Sequence, residues 1–410
     1  MPEHLSIKEL EGTESKMIRR AIKGFVKNEI NPFRQEIDDD KDHNIVNSIM
    51  EKLMLGGPGF GKLMLSGASG DLMSSTAFIG ALEELSAGDS GIAVALGCTG
   101  WCLAPILFEP YKRDDLIKEF SEEIFTGKEL NMGCFAMTEP EGGCDIENPR
   151  MEGKKIHTRA ELDGDEWVIN GTKQWPTNSG VSSLYLTVCT TDPDLGDDGI
   201  AMIYVPYPIK GMSFSDFEKK AGMAADRNCT IYYDDVRVPK RYRAAGPGDD
   251  AKLLHQNLVF GSIGSAAMSV GTAQNVFDIV TDYATKRIVA GKPIKEHSIN
   301  AGILADMAIG IETARIYTLS VAKMFGDPKS YGPRWSDELI AKARIAKVYS
   351  ADMAVMVTNK AMELMGSWGY VRDADVEKHW RDIKETQIWL GGQQLGRLDI
   401  ARYFCKLKTL

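Results

Sequence analysis

The sequence of 410 residues is poor in the residues that build metal centres and disulfide frameworks. It contains seven cysteines and six histidines, with no CxxC pair and no paired Cys/His spacing, so we expect no bound metal. An odd number of scattered cysteines is typical of reduced thiols in the cytosol and not of a secreted disulfide scaffold. The composition therefore predicts a cytoplasmic protein without a metal site.

Positive charge is scarce as well. The chain has 48 Lys and Arg against 58 Asp and Glu, a net charge of -10. Nucleic-acid binding needs a basic field, so we do not expect a nucleic-acid partner. No apolar run is long and uninterrupted enough to predict a membrane span. The first residues, MPEHLSIKELEG, are too polar for a secretory signal peptide.

Helical and strand-like patterns divide the chain into three blocks. Apolar residues recur at helical spacing from about residue 15 to residue 128, and the first run is expected to stop at Asn31 and Pro32. Short β-branched and aromatic runs begin at about residue 131 and indicate a small antiparallel β domain. Helical spacing returns after Pro247. We predict an α+β fold with domains at residues 1–130, 131–245 and 246–410.

Three separated stretches carry a specific combination of residues. They read CFAMTEPEGGCD (residues 134–145), WVINGTKQWPTN (167–178) and RDIKETQIWLGGQQLGRLDIAR (381–402). Together, and in this order, they resemble the signatures of the acyl-CoA dehydrogenases over essentially the whole chain. The resemblance implies an N-terminal helical domain, a middle β domain and a C-terminal four-helix bundle. It also implies an FAD cofactor, an acyl-CoA substrate, a homotetramer and an electron-transfer flavoprotein as partner.

The first two stretches suit contacts with a flavin. The turn after Thr138 is rich in backbone N–H groups, which can donate to a flavin edge or a pyrophosphate. The resemblance implies that Trp175 lies flat against the isoalloxazine ring and that the Thr177 hydroxyl lies near flavin N5. Arg287 matches the arginine that reaches the FAD diphosphate of a neighbouring subunit, a role that suits a guanidinium.

The resemblance places FAD contacts at positions in all three blocks, and some of them depart from the family pattern. Cys144 stands where a serine is usual, Glu363 replaces a glutamine, and Gly392 replaces a threonine. The full set is Phe135, Met137, Thr138, Gly143, Cys144, Trp175, Thr177, Arg287, His297, Glu363, Gly366, Gly392 and Gln394. We therefore predict FAD binding with altered details.

The catalytic carboxylate of the family is missing. The family removes a proton α to the thioester carbonyl with a Glu at the position of Leu390, or in a few branches at about Gly261. Losing a general base costs about 10² to 10⁴-fold in rate. Ordinary α,β-dehydrogenation is therefore not expected. The predicted substrate pocket consists of Leu96, Gly261, Trp389, Leu390 and Gly391.

Three explanations remain open for the missing base. In the first, the substrate is already unsaturated, so the acidic proton lies further along the conjugated system and the base has moved. The resemblance includes anaerobic members that act on ring thioesters such as cyclohexenecarboxyl-CoA and use an N-terminal Asp. Asp89 is our candidate for that base, although a helix N-cap is its simpler interpretation. The second explanation is a flavin oxidase or monooxygenase of the same fold, and the third is a non-catalytic subunit that binds CoA or FAD.

Overall fold

The N-terminal part of the chain is helical. The computed structural model describes residues 10–56, 75–121, 124–125, 127–143 and 156–407. The first helices are α1 (Thr13–Phe25), α2 (Arg34–Asp39) and α3 (Asn44–Met54). In α1 the buried residues Ile18, Ile22 and Phe25 recur at helical spacing, so one face of the helix packs on the core.

At the predicted stop, Asn31 and Pro32, the chain changes its helix type and does not leave the helical path. After α1 the chain continues through a π-helical turn (Val26–Ile30) and a 3-10 turn (Asn31–Phe33) directly into α2. Pro32 lies in the first turn of the 3-10 segment, where a missing backbone N–H costs little. The proline therefore bends the helical path without ending it.

Two apolar helices follow, α4 (Ser75–Gly88) and α5 (Ser90–Leu107), and then the short α6 (Asp114–Leu116). Among the described residues α5 is the one helix long and apolar enough to cross a membrane by length and composition, contrary to our expectation that no run would be. Yet 83% of this stretch is buried inside the protein. Helix α5 is thus a core helix of this fold.

A seven-stranded sheet occupies the middle of the chain. Its strands are β1 (Gly133–Ala136), β2 (Arg159–Asp163), β3 (Glu166–Lys173), β4 (Leu184–Thr190), β5 (Ile200–Pro206), β6 (Met212–Phe214) and β7 (Ile231–Pro239). The order is β1-β4-β2-β3-β7-β6, and β5 also pairs with β4. The sheet is not purely antiparallel as expected, because β4 pairs in parallel with β1 and at one position with β2.

Long helices form the C-terminal part. They are α7 (Asp249–Lys286), α8 (Ser298–Gly326), α9 (Pro328–Tyr331), α10 (Asp337–Met365), α11 (Val376–Ile383) and α12 (Gly392–Cys405), with a hairpin of β8 (Ile288–Val289) and β9 (Lys292–Pro293) after α7. Helix α7 packs closely on α4, since a Cβ at Gly271 would lie 1.9 Å from the carbonyl oxygen of Glu83.

One hydrophobic core joins the N-terminal helices, the sheet and the first half of α7. A second cluster lies inside the C-terminal helices, around Val270, Met307 and Val357. The predicted α+β class, with helical, strand and helical blocks in that order, is confirmed. The shared core fixes α5, α7 and the edge of the sheet against one another, and the candidate site lies between them.

Candidate active site

A largely apolar cavity of about 170 Å³ lies where α5, α7, the end of β1 and the segment before α12 meet. Its apolar wall comes from the two helical blocks: Phe78, Leu82, Val94, Trp101, Phe260 and Met268. Its polar positions come from loops of the middle domain, from α7 and from the segment before α12: Thr138, Thr177, Asp226, Asn228, Ser265 and Glu385. A concave apolar pocket with a few convergent polar groups is the usual form of a small-molecule site.

Aromatic rings close the inner end of the cavity. The rings of Phe78 and Phe260 stack with centroids 5.3 Å apart, and those of Trp101 and Phe135 lie 4.7 Å apart. Trp389 is held by a hydrogen bond of 2.7 Å from its Nε1 to Ser265 Oγ. These contacts give the cavity a fixed shape and leave room for only a small apolar group.

Leu390 lines this cavity, as predicted, and brings no ionisable group to it. The residue is 7% exposed and has a φ of 53°, in the left-handed region. Its carbonyl oxygen accepts a hydrogen bond of 2.8 Å from Arg344, which also pairs with Asp399 at 3.0 Å. The backbone at Leu390 is therefore held firmly in place, and the usual base position is filled by an apolar side chain.

Gly261 also lines the cavity, and here a larger side chain is excluded. A Cβ at this position would lie 2.7 Å from Cζ2 of Trp101. The Trp101 indole is fixed because its Nε1 donates to the Asn257 carbonyl oxygen at 2.6 Å. The second position at which we considered a base is thus occupied by the ring of Trp101.

The predicted flavin contacts Phe135, Met137, Thr138, Trp175 and Thr177 all line the same cavity. The Trp175 indole is 55% exposed, so it lies at the cavity mouth with a free face. Its backbone is anchored by Asn228 Nδ2, which donates to the Trp175 carbonyl oxygen at 2.9 Å.

The turn beside these contacts is also held firmly. Glu139 pairs with Lys173 at 2.7 Å, and its backbone N–H donates to the carbonyl of Gly142, next to Gly143. The hydroxyls of Thr138 and Thr177 form no hydrogen bond with the described residues. Unused hydroxyls beside an open aromatic face fit the polar edge and the ring of a flavin.

A second group of predicted cofactor contacts lies away from the cavity. Arg287 is exposed at the end of α7, and His297 hydrogen-bonds to the Val289 carbonyl in the hairpin that follows. Glu363 is exposed at the end of α10, which stops at Gly366 with a φ of 61°. The two ends are neighbours, since the Tyr283 hydroxyl donates to the Met365 carbonyl at 3.5 Å.

The remaining predicted residues lie at α12 or outside the described chain. Gly391 is the N-cap of α12 and Gly392 begins it, both with positive φ, while the Gln394 side chain is exposed on its first turn. Cys144 lies outside the described residues.

Comparison with known families assigns all three parts of the chain. The sequence matches the acyl-CoA dehydrogenase N-terminal domain at residues 12–109, the middle domain at 134–236 and the C-terminal domain at 251–404. The mitochondrial short-chain specific acyl-CoA dehydrogenase of Bos taurus is 30% identical over 95% of this chain and 90% of that protein. The chain belongs to the acyl-CoA dehydrogenase family.

Two further similarities bear on the chemistry. Cyclohexane-1-carbonyl-CoA dehydrogenase of Syntrophus aciditrophicus is 32% identical over 71% of each chain. A solved chain from the electron transferring flavoprotein of Acidaminococcus fermentans has a TM-score of 0.84 at 26% identity, over 97% of this chain and 99% of that chain. The protein is thus an FAD-dependent acyl-CoA dehydrogenase by family. When bound, FAD supplies the oxidised ring that accepts a hydride from the acyl chain.

Asp89 is placed differently from our prediction for this acyl-CoA dehydrogenase. It is fully buried, caps α5 by accepting from Ile92 N at 2.9 Å, and pairs with Lys378 at 2.7 Å. Burial alone would raise the pKa of Asp89, but the Lys378 ammonium lowers it below the ordinary value. The residue is not among those lining the cavity. Its position supports the role of a cap and ion-pair partner and does not support the predicted role of base.

Leu96 is also displaced from the predicted acyl pocket. It is fully buried in the core, while Val94, Gly97, Cys98 and Trp101 of the same helix line the cavity. Residues 94, 97, 98 and 101 form one face of α5, and Leu96 lies off that face. The helix was predicted to border the pocket and it does, but the residue chosen was out of phase.

Sequence reasoning missed two acidic residues that do line the cavity, Asp226 and Glu385. Glu385 stands five positions before Leu390 in the same quoted stretch, so an acidic residue next to the lost base was a visible signal. Asp226 belongs to the middle domain, and no sequence motif around it indicated a position in the cavity. Among the described residues, no cluster of His, Cys, Asp and Glu has the geometry of a metal site.

Proposed function

We propose that this acyl-CoA dehydrogenase oxidises the CoA thioester of a small, ring-bearing and already unsaturated acyl group, such as cyclohex-1-ene-1-carboxyl-CoA. The observation that carries the proposal is that neither position 390 nor position 261 offers a base. Leu390 fills the first position, and the second is a glycine against the Trp101 ring. An enzyme that oxidises saturated acyl chains needs a carboxylate side chain within hydrogen-bond reach of the proton on the α carbon.

An unsaturated substrate changes where the proton leaves. When carbons α and β are already joined by a double bond, no α proton remains, and the acidity passes along the conjugated system to a more distant carbon. The C–H bond there breaks, the proton goes to a base of the protein, and the electron pair shifts toward the ring double bond. A hydride leaves from the other end of the system to FAD, so the substrate loses two hydrogens by 1,4-elimination.

The size and walls of the cavity support a compact ring. Its volume of about 170 Å³ is close to that of an engineered apolar cavity of about 150 Å³ that binds benzene. Phe78, Trp101 and Phe260 give it flat apolar walls. The similarity to a cyclohexane-1-carbonyl-CoA dehydrogenase over 71% of the chain supports a cyclic acyl group.

The residues proposed to contact FAD lie in two separate groups. We propose that Trp175, Thr138 and Thr177 position the flavin ring at the cavity mouth. Arg287, His297 and Glu363 do not line that cavity, and we propose that they contact the FAD of a neighbouring subunit. This division supports a homotetramer, and electrons would leave it through an electron-transfer flavoprotein.

We further propose that the enzyme works in the cytoplasm. The six cysteines among the described residues are all free, and five of them are buried. Free thiols are stable in a reducing compartment.

Turnover with a series of thioesters tests the substrate class. The purified yellow protein is mixed with ferrocenium as electron acceptor and with cyclohex-1-ene-1-carboxyl-CoA, cyclohexanecarboxyl-CoA, butyryl-CoA or octanoyl-CoA. The account expects a product two mass units lighter from cyclohex-1-ene-1-carboxyl-CoA at a rate at least about 100-fold above that with butyryl-CoA. Equal or faster oxidation of butyryl-CoA would overturn the proposal, and a protein that binds no flavin would be a non-catalytic subunit.

A further inference from the structure

Glu385 lies on the segment that carries the lost base position. It belongs to a 3-10 turn, Lys384–Gln387, between α11 and α12. Its carbonyl oxygen accepts from the N–H groups of Ile388 at 2.8 Å and Trp389 at 3.1 Å. Glu385 and Trp389 are therefore one turn apart, and both line the cavity beside Leu390. Position 390 carries no carboxylate, and Glu385 stands five positions earlier on the same segment.

Two carboxylates among the described residues face the cavity, and their surroundings differ. Asp226 is buried and is paired with Lys220, whose Nζ lies 3.2 Å from Asp226 Oδ2 and 2.6 Å from its carbonyl oxygen. The same ammonium contacts Asn228 Oδ1. One oxygen of Asp226 is thus held by a cation, while its Oδ1 is buried without a hydrogen-bond partner among the described residues. The Glu385 carboxylate forms no hydrogen bond or ion pair with the described residues.

The charges around Glu385 favour a basic carboxylate. Burial raises the pKa of Glu385, the ammonium of Lys220 opposes this shift, and the charge of Asp226 adds to it, so the pKa lies above the ordinary glutamate value. A general base works best when its pKa lies near the working pH. By contrast, Asp89 is locked to Lys378 and has a lowered pKa.

We propose that Glu385 is the general base of this enzyme. The assignment rests on the proposed function, because it supplies the base that a displaced proton requires. A Glu385 oxygen takes the proton from the ring carbon at the far end of the conjugated system. The C–H electron pair forms a new carbon–carbon double bond as a hydride leaves the other end of the system, so the substrate is oxidised by two electrons, for which bound FAD would be the two-electron acceptor. Burial and the charges of Lys220 and Asp226, which lie in the loop between β6 and β7, set the basicity of Glu385.

Proton exchange tests this role apart from hydride transfer. The holoenzyme is reduced with dithionite, so that FAD accepts no further hydride, and is mixed with cyclohex-1-ene-1-carboxyl-CoA in D₂O. Mass spectrometry then measures deuterium entering the thioester. We expect the wild type to catalyse exchange, Glu385→Gln to exchange at least about 100-fold more slowly, and Glu385→Asp to fall between them.

Matched variants separate a base from a structural residue. Glu161→Gln changes an exposed carboxylate on β2 and is expected to keep wild-type exchange. Asp226→Asn tests the other carboxylate of the cavity, and because its charge contributes to the basicity of Glu385, exchange is expected to slow, but by less than in Glu385→Gln. Flavin absorbance per protein confirms that each variant is loaded. The proposal would be overturned if Glu385→Gln exchanged deuterium at the wild-type rate. It would also be overturned if Asp226→Asn were the one variant that lost exchange.

The same experiment distinguishes failure of the base from failure of the substrate class. If oxidised wild type is bleached by butyryl-CoA and not by the cyclic thioester, the proposed function is contradicted. The variants are then compared by bleaching with butyryl-CoA. Under that outcome a wild-type rate in Glu385→Gln removes Glu385 as base, and a loss of at least about 100-fold retains it for a different substrate.

Discussion

Positions 390 and 261 differ in whether the structure leaves space for a carboxylate side chain. At position 261 there is no space, because the Trp101 ring occupies the volume of a Cβ. At position 390 the backbone is held by Arg344 and the side chain already faces the cavity, so a Glu fits the same backbone as well as Leu does. Position 390 is therefore the one of the two at which the usual base can be restored.

Leu390→Glu is expected to create activity on a saturated chain. A carboxylate at this position faces the α carbon of an acyl thioester, as in the family, so anaerobic bleaching by butyryl-CoA should accelerate by at least about 100-fold over wild type. Stopped-flow absorbance of the flavin measures this rate. Leu390→Gln is the matched control, with similar shape and no base. Equal rates in the two variants would contradict our explanation of Leu390.

The raised pKa of Glu385 predicts the pH dependence of the reaction. A base works only when it is deprotonated, so kcat/KM for the cyclic thioester should rise with pH through a pKa above the ordinary glutamate value of about 4.3. The pH profile of kcat/KM, which reports on the free enzyme, checks this expectation. Burial is the main cause of the raised pKa, and Asp226→Asn removes the smaller contribution of a neighbouring negative charge, so the acidic limb of the profile should move to lower pH. A kcat/KM that does not rise with pH on the acidic side of the profile would contradict the role of Glu385 as general base.

At the scale of elements, a buried ion cluster joins α5 to α11. Lys378 on α11 lies 2.7 Å from Asp89, 2.6 Å from Asp382 and 3.5 Å from Asp38. Removing one partner of a buried pair leaves an uncompensated charge, which costs about 3–5 kcal/mol. The cluster therefore fixes the helix that lines the cavity against the segment that leads to Glu385.

Asp89→Asn is expected to lower stability and to leave chemistry intact. An Asn still caps α5 but loses the charge that Lys378 requires, so the free energy of unfolding in urea should fall by a few kcal/mol. The contribution of Asp89, whose pKa is lowered in the folded state, is present at neutral pH and is lost as pH falls through that lowered pKa. The bleaching rate per bound flavin should stay within a few-fold of wild type. A 100-fold loss in fully loaded enzyme would restore Asp89 as the base.

The sequence predicted elements better than it predicted side-chain placement. Helical spacing and strand-like runs gave the three blocks, and the quoted motifs brought Thr138, Trp175, Thr177 and Leu390 to one cavity. Spacing along a helix does not show which face meets the cavity, and Leu96 was therefore assigned to it although it lies in the core. Long-range pairing is equally invisible, so the partner of Asp89, which lies 289 positions away at Lys378, was missed.

At the scale of the whole molecule, the C-terminal helices present large apolar residues to solvent. They include Ile299 at 77% exposed and Tyr370 at 75% exposed, with Ile288, Val289, Ile309 and Trp368. Large exposed apolar side chains are typical of contact surfaces between proteins, and we predict such a contact here. It lies on the same helices and hairpin as Arg287 and Glu363, in agreement with a cofactor shared between subunits.

Arg287→Ala is expected to weaken FAD binding without changing the cavity. Loss of a charged hydrogen bond to a phosphate costs about 1.5–3 kcal/mol, or roughly 10- to 100-fold in the Kd for FAD. Fluorescence titration of the apoprotein measures that Kd. Lys286→Ala is the control, because Lys286 is the adjacent cation and pairs with Asp282 on its own helix. Unchanged FAD affinity in Arg287→Ala would show that this distal group serves another purpose.

We propose that the proton removed by this enzyme does not lie on the usual α carbon. Anaerobic single-turnover absorbance of the wild-type flavin, with cyclohex-1-ene-1-carboxyl-CoA and butyryl-CoA compared side by side at equal concentration, tests it most directly. We predict rapid and complete bleaching of the oxidised flavin by the cyclic thioester and at least about 100-fold slower bleaching by butyryl-CoA. Rapid bleaching by butyryl-CoA, with none by the cyclic thioester, would contradict it.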